Sequence, residues 1–142
     1  MELTQEAFEK DSQGWLVSYT TSLNSLAEFY FKIEEIGDAI ILEEKVLTIT
    51  RKAYNINKEL WLEKHLLNLK NLSISYGIKK RKADSIVLRE EALPILRDAY
   101  KENKKYWKKE YKDMILSLAF SYGADRNIAK VLMLNSELLT LK

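Results

Sequence analysis

The sequence predicts an all-α array of stacked antiparallel helix pairs, and three observations carry this prediction. The tryptophans Trp15, Trp61 and Trp107 are separated by a constant spacing of 46 residues. After each of them, apolar residues recur at steps of three and four, which is the periodicity of one helix face. The 142 residues include only four glycines and one proline, whereas sheet-and-turn architectures use both at their turns. A repeat of a few tens of residues is typical of a stacked array.

Other residues keep the spacing of the tryptophans. A leucine follows each tryptophan by eleven residues, and a tyrosine follows it by fifteen. We expect each stripe to be the buried face of the first helix of a pair, with its tryptophan filling the joint between successive repeats. The stripes are Trp15, Tyr19, Leu23, Leu26 and Tyr30; Trp61, His65, Leu69, Leu72 and Tyr76; and Trp107, Tyr111, Ile115, Leu118 and Tyr122.

Residues 1–142 are therefore predicted to form a single array. Asp11–Gly14 is predicted to be the connector before the first pair, because Asp11 or Ser12 can cap the helix that follows. Both ends of the chain fall inside the repeat, which favours a segment of a longer array. The predicted parts are the end of a preceding helix (1–10) and repeats at 15–56, 61–102 and 107–142, the last truncated.

A second apolar stripe follows each first helix and predicts the second helix of the pair. The clearest examples run from Ile36 to Ala53 and from Ala83 to Tyr100. Pro94 interrupts the latter. Because proline removes one backbone hydrogen bond and crowds the preceding turn, we expect a kink or local break there, with the helix resuming afterwards.

Short turns are expected between the two helices of each pair. Gly77 and Gly123 occupy equivalent positions in the second and third repeats, where a helix often ends in a left-handed residue. We therefore expect both glycines to adopt that conformation. Phe31 stands at this position in the first repeat, so its turn is expected to differ. The predicted turns lie around residues 32–35, 77–82 and 123–127.

Composition and charge narrow the functional classes. The absence of cysteine excludes disulfides and thiolate metal sites and fits a reducing, cytoplasmic location. No apolar run approaches the ~20 residues of a membrane span, so no membrane partner is expected. The net charge is +2, but residues 1–46 hold three lysines and ten acidic residues (−7). Residues 47–142 hold twenty basic and eleven acidic residues (+9). Such an uneven distribution of charge can steer a charged partner and orient it during association.

Catalytic, cofactor and metal sites are not predicted, and we expect a protein that is not an enzyme. His65 is the single histidine, and its counterparts Tyr19 and Tyr111 belong to the packing stripe. A structural role is therefore favoured over catalysis or metal binding. The paired carboxylates Glu34-Glu35 and Glu43-Glu44 are interpreted as solvated surface. The chain has neither a glycine-rich phosphate loop nor a nucleophile elbow.

Two basic runs raise nucleic-acid binding as an alternative. Lys79–Lys82 forms one run, and five lysines between residues 101 and 109 lie beside Tyr106 and Trp107. Basic residues near aromatic rings can contact phosphates and stack on bases. The runs fall on successive connectors, hence on opposite edges of a stack, and Trp107 belongs to the packing stripe. A solvated face or a patch for an acidic partner is therefore favoured.

The string SLNSLAEFY at Ser22–Tyr30, followed by Gly37-Asp38-Ala39-Ile40 and Val46-Leu47, resembles a tetratricopeptide repeat of the long, kinesin light chain type. The resemblance implies a right-handed α-solenoid of about three repeats. Since the unit of 46 residues exceeds the usual length of about 34, both helices should be about one and a half turns longer. HEAT-like repeats have a similar period and remain the alternative fold.

In tetratricopeptide arrays the first helix of each pair lines a concave groove that binds an extended peptide or a partner helix. Asn24 matches the asparagine that clamps a peptide backbone, but Lys70 and Leu116 replace it in the later repeats. The apolar Ile74, Leu116 and Phe120 either receive an apolar ligand segment or are covered by neighbouring parts of a parent protein. The groove residues that the resemblance implies are Asn24, Glu28, Leu67, Lys70, Asn71, Ile74, Leu116 and Phe120.

These observations favour a non-catalytic scaffold that binds a protein or peptide partner. The alternative is a regulatory or sensor module of a larger multidomain enzyme or transcription regulator, and a nucleic-acid-binding solenoid is the least favoured function. Apolar array ends at Met1–Phe8 and Leu132–Leu141 could stack on another copy, so end-to-end self-association is a further expectation.

Overall fold

The structure is a computed structural model that describes residues 5–141, with side chains from residue 12 onward. Helices account for nearly all of this range, and no strand occurs within it. The predicted all-α class is therefore confirmed, while the handedness and the repeat limits stay predictions. The helices are α1 (Gln5–Lys32), α2 (Ile36–Ile56), α3 (Lys58–Ile78), α4 (Lys82–Glu102), α5 (Lys104–Ala124) and α6 (Ile128–Leu139).

The chain divides into two compact units, residues 1–68 and 69–142, and the division falls within α3. In the first unit α1 packs along α2. Lys64 Nζ on α3 donates a hydrogen bond of 2.6 Å to Thr21 Oγ1 on α1. In the second unit α4 packs on α5 and α5 on α6, while Ser85 Oγ on α4 donates to the Ser73 carbonyl on α3 at 2.7 Å. Consecutive helices thus pack on one another within each unit.

The apolar stripes of α3 and α5 are buried, as the sequence predicts. Trp61 is fully buried, and its Nε1 donates a hydrogen bond of 2.7 Å to Gln13 Oε1 on α1. Trp107 is half-buried, and the other stripe residues of these two helices have little or no exposure. The core of the second and third repeats therefore follows the 46-residue register.

The joint between successive helix pairs recurs at the same interval. The rings of Tyr54 on α2 and His65 on α3 have centroids 5.1 Å apart. The rings of Tyr100 on α4 and Tyr111 on α5, each 46 residues further along the chain, also have centroids 5.1 Å apart. The centroid distance is therefore the same at both joints, while the angle between the ring planes changes from 24° to 43° with the change from histidine to tyrosine.

The stripe of the first repeat differs from the prediction. Trp15 is 66% exposed and Leu26 is also exposed, whereas Thr20 and Ala27, on an adjacent side of α1, are buried. The expectation that every tryptophan fills a joint is therefore wrong for Trp15. The reason is that α2 and α4 are separate helices that pack against the helix after them, whereas the described residues before Trp15 continue α1 itself.

Two expected interruptions do not occur. Helix α1 runs unbroken through Asp11–Gly14, so the connector predicted there is wrong. A single glycine costs a helix only about 1 kcal/mol, which the flanking turns can offset. Helix α4 likewise continues through Pro94, so the local break is wrong and the resumption of the helix is confirmed. Of the segment predicted as the end of a preceding helix, residues 5–10 belong to α1, and residues 1–4 lie outside the described residues.

The three turns between paired helices share one backbone geometry. Glu34, Lys80 and Arg126 have positive φ angles of 66°, 61° and 59° and are separated by the repeat length of 46. In each turn the next residue donates its N–H to the carbonyl five positions earlier, which is a Schellman motif. These bonds join Glu35 to Tyr30 (2.9 Å), Arg81 to Tyr76 (2.8 Å) and Asn127 to Tyr122 (2.8 Å).

The prediction for the turn glycines is wrong. Neither Gly77 nor Gly123 has a positive φ, and both lie within the last turn of their helices. The left-handed residue comes three positions later and carries a long charged side chain in every case. The first turn therefore matches the other two, although Phe31 replaces the glycine. The backbone hydrogen bonds of the motif offset the steric cost of the left-handed conformation.

Candidate interaction surface

The exposed face of α3 and α5 in the second unit carries most of the predicted groove residues. Phe120 is the most exposed of the large apolar residues among them, at 80%. The two helices are linked on this side by an ion pair, in which Lys70 Nζ is 3.6 Å from the Glu110 carboxylate. The predicted residues on the face, all of them exposed, are Lys70, Asn71, Ile74, Leu116 and Phe120.

Helical periodicity explains why these residues share a face. Lys70 and Ile74 are four residues apart on α3, and Leu116 and Phe120 are four residues apart on α5. The two pairs also occupy equivalent positions in their repeats. The leucine between the members of each pair turns to the opposite side and is buried, as Leu118 is on α5. The register that builds the core therefore also selects the exposed residues.

The first unit holds the three remaining predicted groove residues. Asn24 on α1 is half-buried, and Glu28 is exposed and lies 3.2 Å from Lys32 Nζ on the same helix. Leu67 on α3 is exposed. An exposed ion pair of this kind contributes little to stability and leaves Glu28 available to a partner.

The turn between α3 and α4 carries the basic run Lys79–Lys82. Arg81 Nε donates to Asp84 Oδ2 at 2.8 Å, and the guanidinium lies 4.2 Å from the centroid of the Tyr76 ring. Lys82 Nζ donates to Asp125 Oδ1 at 2.7 Å. Two of the four cations are therefore engaged by carboxylates of the same chain, which weakens the case for a phosphate-binding track.

His65 has the structural environment that the sequence favours. It is buried, its Nδ1 lies 3.0 Å from Thr50 Oγ1 in a hydrogen bond, and its ring stacks on Tyr54. Nearby, the buried Asn68 donates to the Glu43 carbonyl at 3.4 Å. Glu43 itself is buried, so its interpretation as solvated surface is wrong. Position 43 lies on the side of α2 that faces α3. The sequence interpretation considered only that Glu43 and Glu44 are adjacent carboxylates, and this does not reveal which side of the helix is covered.

A polar cluster that the sequence did not reveal joins α4, α5 and α6. Arg97 Nε donates to Glu137 Oε1 at 2.6 Å, and the Tyr111 hydroxyl donates to the same carboxylate. Burial opposes ionisation of Glu137, but the hydrogen bonds from Arg97 and Tyr111 outweigh it and lower the pKa of the carboxyl. Burial and the carboxylate together raise the pKa of Tyr111 to about 12. The cluster is a structural tie, because every charge in it is engaged.

A cleft of about 510 Å³ lies between the start of α4 and the turn from α5 to α6. Its charged lining residues are occupied locally. Lys82 pairs with Asp125, and Lys130 Nζ lies 4.8 Å from the centroid of the Tyr122 ring. Burial and a hydrogen bond with Glu90 raise the pKa of Tyr122 to about 12. No set of free charges converges on a point where a small ligand would bind.

Among residues 12–141, whose side chains the structure describes, no group of three or more histidines and carboxylates is arranged to hold a metal ion. Within the same range, none of the helices combines the length and the apolarity required for a membrane crossing. Comparisons with protein-family profiles, with curated proteins and with solved structures find no match for this chain. The resemblance to tetratricopeptide repeats is therefore carried by the residue pattern alone, and the fold by six packed helices.

Proposed function

We propose that this chain is a non-catalytic scaffold of the tetratricopeptide type, a right-handed solenoid that binds a protein or peptide segment along the exposed face of its first helices. The resemblance of Ser22–Tyr30 to the repeat supports this proposal. The ion pair between Lys70 on α3 and Glu110 on α5 also supports it, since a groove needs first helices that come within reach of each other.

One observation carries the proposal furthest. Ile74, Leu116 and Phe120 are large, apolar and exposed, and they lie on two helices that the ion pair between Lys70 and Glu110 links. Solvent-facing helix surfaces are usually polar, and a contiguous apolar patch marks an interaction site. Burial of the largely exposed Phe120 would contribute roughly 1.5–3 kcal/mol, and Ile74 and Leu116, which are already more than half buried, would each add about half as much. These contributions would offset part of the cost of association.

The residues around the patch indicate the kind of segment that fits it. Lys70 and Asn71 offer hydrogen-bond donors beside the apolar side chains, and Glu110 offers an acceptor. An extended peptide or an amphipathic helix with apolar anchors two or more residues apart would match this arrangement. We propose such a segment, rather than a small molecule, as the ligand.

The experiment selects peptides from a random displayed library against the chain and measures their affinities by calorimetry. Phe120→Ala should weaken the selected peptides roughly tenfold or more, because a buried aromatic anchor is lost. Combining it with Lys70→Glu should abolish capture, with helicity unchanged in circular dichroism. Val87→Ala is the matched control, since Val87 is 61% exposed on α4, away from the proposed face, and should leave affinity within about twofold.

Two outcomes would refute the proposed surface. One is a library that yields no peptide binder of the wild-type chain. The other is a set of binders whose affinities are the same for the wild type and for Phe120→Ala with Lys70→Glu. Binding of single-stranded RNA or DNA that falls steeply with added salt and ignores these substitutions would favour the nucleic-acid alternative instead.

A further inference from the structure

The last helix exposes apolar residues whose counterparts in the first repeat are buried. Leu132 and Leu139 on α6 are 59% and 85% exposed, and Ile128 is exposed as well. We call these three residues the tail stripe. Their equivalents on α2, 92 residues earlier, are all buried: Ile36, Ile40 and Leu47.

The α2 equivalents lie on the side of that helix that forms a joint with α3. Glu43 and Thr50 belong to the same side, since they follow Ile36 by seven and fourteen residues, or close to two and four turns. Their partners are on α3, where the Glu43 carbonyl accepts from Asn68 and Thr50 Oγ1 bonds to His65. The tail stripe is therefore one half of a joint.

The first helix exposes the other half. Trp15, Leu26 and Phe29 on α1 are all exposed, and we call them the head stripe. They fall on one side of α1, because the spacings of eleven and three residues are close to whole turns. Their equivalents on α3, 46 residues later, are all buried: Trp61, Leu72 and Ser75.

The α3 equivalents share their side of the helix with the residues that contact α2. His65 and Asn68 follow Trp61 by four and seven residues, so they lie on the same stripe. Both contact α2, through Thr50 and Glu43. The head stripe is thus the half of the joint that a second helix of a pair would cover.

We infer that the tail stripe of one copy of this chain packs on the head stripe of a second copy and reproduces the joint between α2 and α3. The two stripes are register equivalents of surfaces that already fit each other inside the chain. Helix α6 carries one lysine and one glutamate and so has no net charge, which leaves the apolar side chains to drive the contact. Such a contact is heterologous, so each copy added leaves one free stripe at either end and association can continue.

The register also identifies an exposed apolar residue that should not take part. Met133 is 72% exposed on α6, and its equivalents Ile41 on α2 and Val87 on α4 are exposed as well. This position therefore faces solvent in every repeat. It provides a control of matched helix, exposure and side-chain size.

The test uses sedimentation velocity of the 142-residue chain over roughly 1 to 500 µM. Wild type should show an average mass that rises with concentration through dimers and larger species. Leu132→Asp with Leu139→Asp blocks the tail stripe, and Trp15→Asp with Leu26→Asp blocks the head stripe. Each blocked variant should associate at least tenfold more weakly, whereas Met133→Asp should behave as wild type. Every position changed is exposed, so each variant should fold like the wild type. Circular dichroism checks this.

Mixing the two blocked variants tests the order of the contact. The tail-blocked variant keeps its head stripe and the head-blocked variant keeps its tail stripe, so an equal mixture should form a dimer that neither forms alone. A wild type that stays monomeric throughout would overturn the inference. So would a blocked variant that associates like wild type, or a mixture without the dimer. Phe120→Ala should not alter self-association, so this result is independent of the proposed peptide-binding function.

Discussion

The three tryptophans occupy equivalent positions but different environments, so replacing each by alanine should give three different losses of stability. Trp61 is fully buried, Trp107 is half-buried and Trp15 is 66% exposed. If the 46-residue register alone decided the energetics, the three replacements would cost the same. If burial decides, the losses should fall in the order Trp61, Trp107, Trp15.

The magnitudes follow from what each side chain buries. Trp61→Ala removes a complete buried indole, which costs about 3–5 kcal/mol in protein cores. Trp15 keeps only about a third of its surface from solvent, so its removal should cost about 1 kcal/mol. Trp61→Phe retains most of the buried area but loses the hydrogen bond to Gln13, so a loss of about 1–2 kcal/mol is expected.

The assay is urea denaturation followed by far-UV circular dichroism, because replacing tryptophan alters the fluorescence signal itself. Gln13→Ala serves as a control for the hydrogen bond and should cost no more than Trp61→Phe does. Equal losses for Trp15→Ala and Trp61→Ala would refute the burial argument. An unchanged midpoint for Trp61→Ala would refute the packing of the joint between α2 and α3.

Two further substitutions test the turns and the polar cluster. Lys80→Gly should raise the free energy of unfolding by about 1 kcal/mol, because glycine adopts the observed φ of 61° without steric cost. Lys80→Val should lower the free energy of unfolding. A urea midpoint that falls for Lys80→Gly would contradict this reasoning. Because the folded-state pKa of Glu137 is lowered, its stabilising contribution is present above the unfolded-state value and is lost as pH falls through the folded-state pKa. The stability gap between wild type and Glu137→Gln, measured by urea denaturation, should therefore be widest near neutral pH and close at acidic pH, and a gap independent of pH would contradict the assignment.

The regular part of the fold was predictable from the sequence because it depends on local periodicity. A stripe such as the one from Trp61 to Tyr76 reports a helix and its buried side through spacing alone, and the structure places both as expected. Trp15 shows where this reasoning fails. Its side of α1 has the right pattern but no covering helix among the described residues, and a pattern cannot report the absence of a neighbour.

The turns were mispredicted for a different physical reason. Glycine is preferred for left-handed residues, so the left-handed conformation was predicted for Gly77 and Gly123. It is adopted instead by Lys80 and its equivalents. Hydrogen bonds between backbone groups determine this turn, and they involve no particular side chain. The contact between Arg97 and Glu137 was also out of reach, because the two residues are 40 positions apart and neither belongs to an apolar stripe.

The groove residues follow from the resemblance to a repeat family, and seven of the eight are exposed in the structure. Ile74 and Phe120 are exposed on adjacent helices, which periodicity alone could place. Peptide binding at these residues depends on the chemistry of the partner, and the packing of this chain does not encode that chemistry. Peptide affinities measured for the variant that combines Phe120→Ala with Lys70→Glu test whether a peptide binds there.

Helix α1 presents two separate surfaces, and this has a consequence for valency. Asn24 follows Trp15 by nine residues, or two and a half turns, so the predicted groove side and the head stripe lie on opposite sides of the helix. Occupying one side leaves the other open. A row of stacked copies would then offer one binding face per copy, and a ligand with two suitable segments would experience a second site at an effective concentration in the millimolar range. Weak single contacts would become a durable attachment whose strength depends on the protein's own concentration.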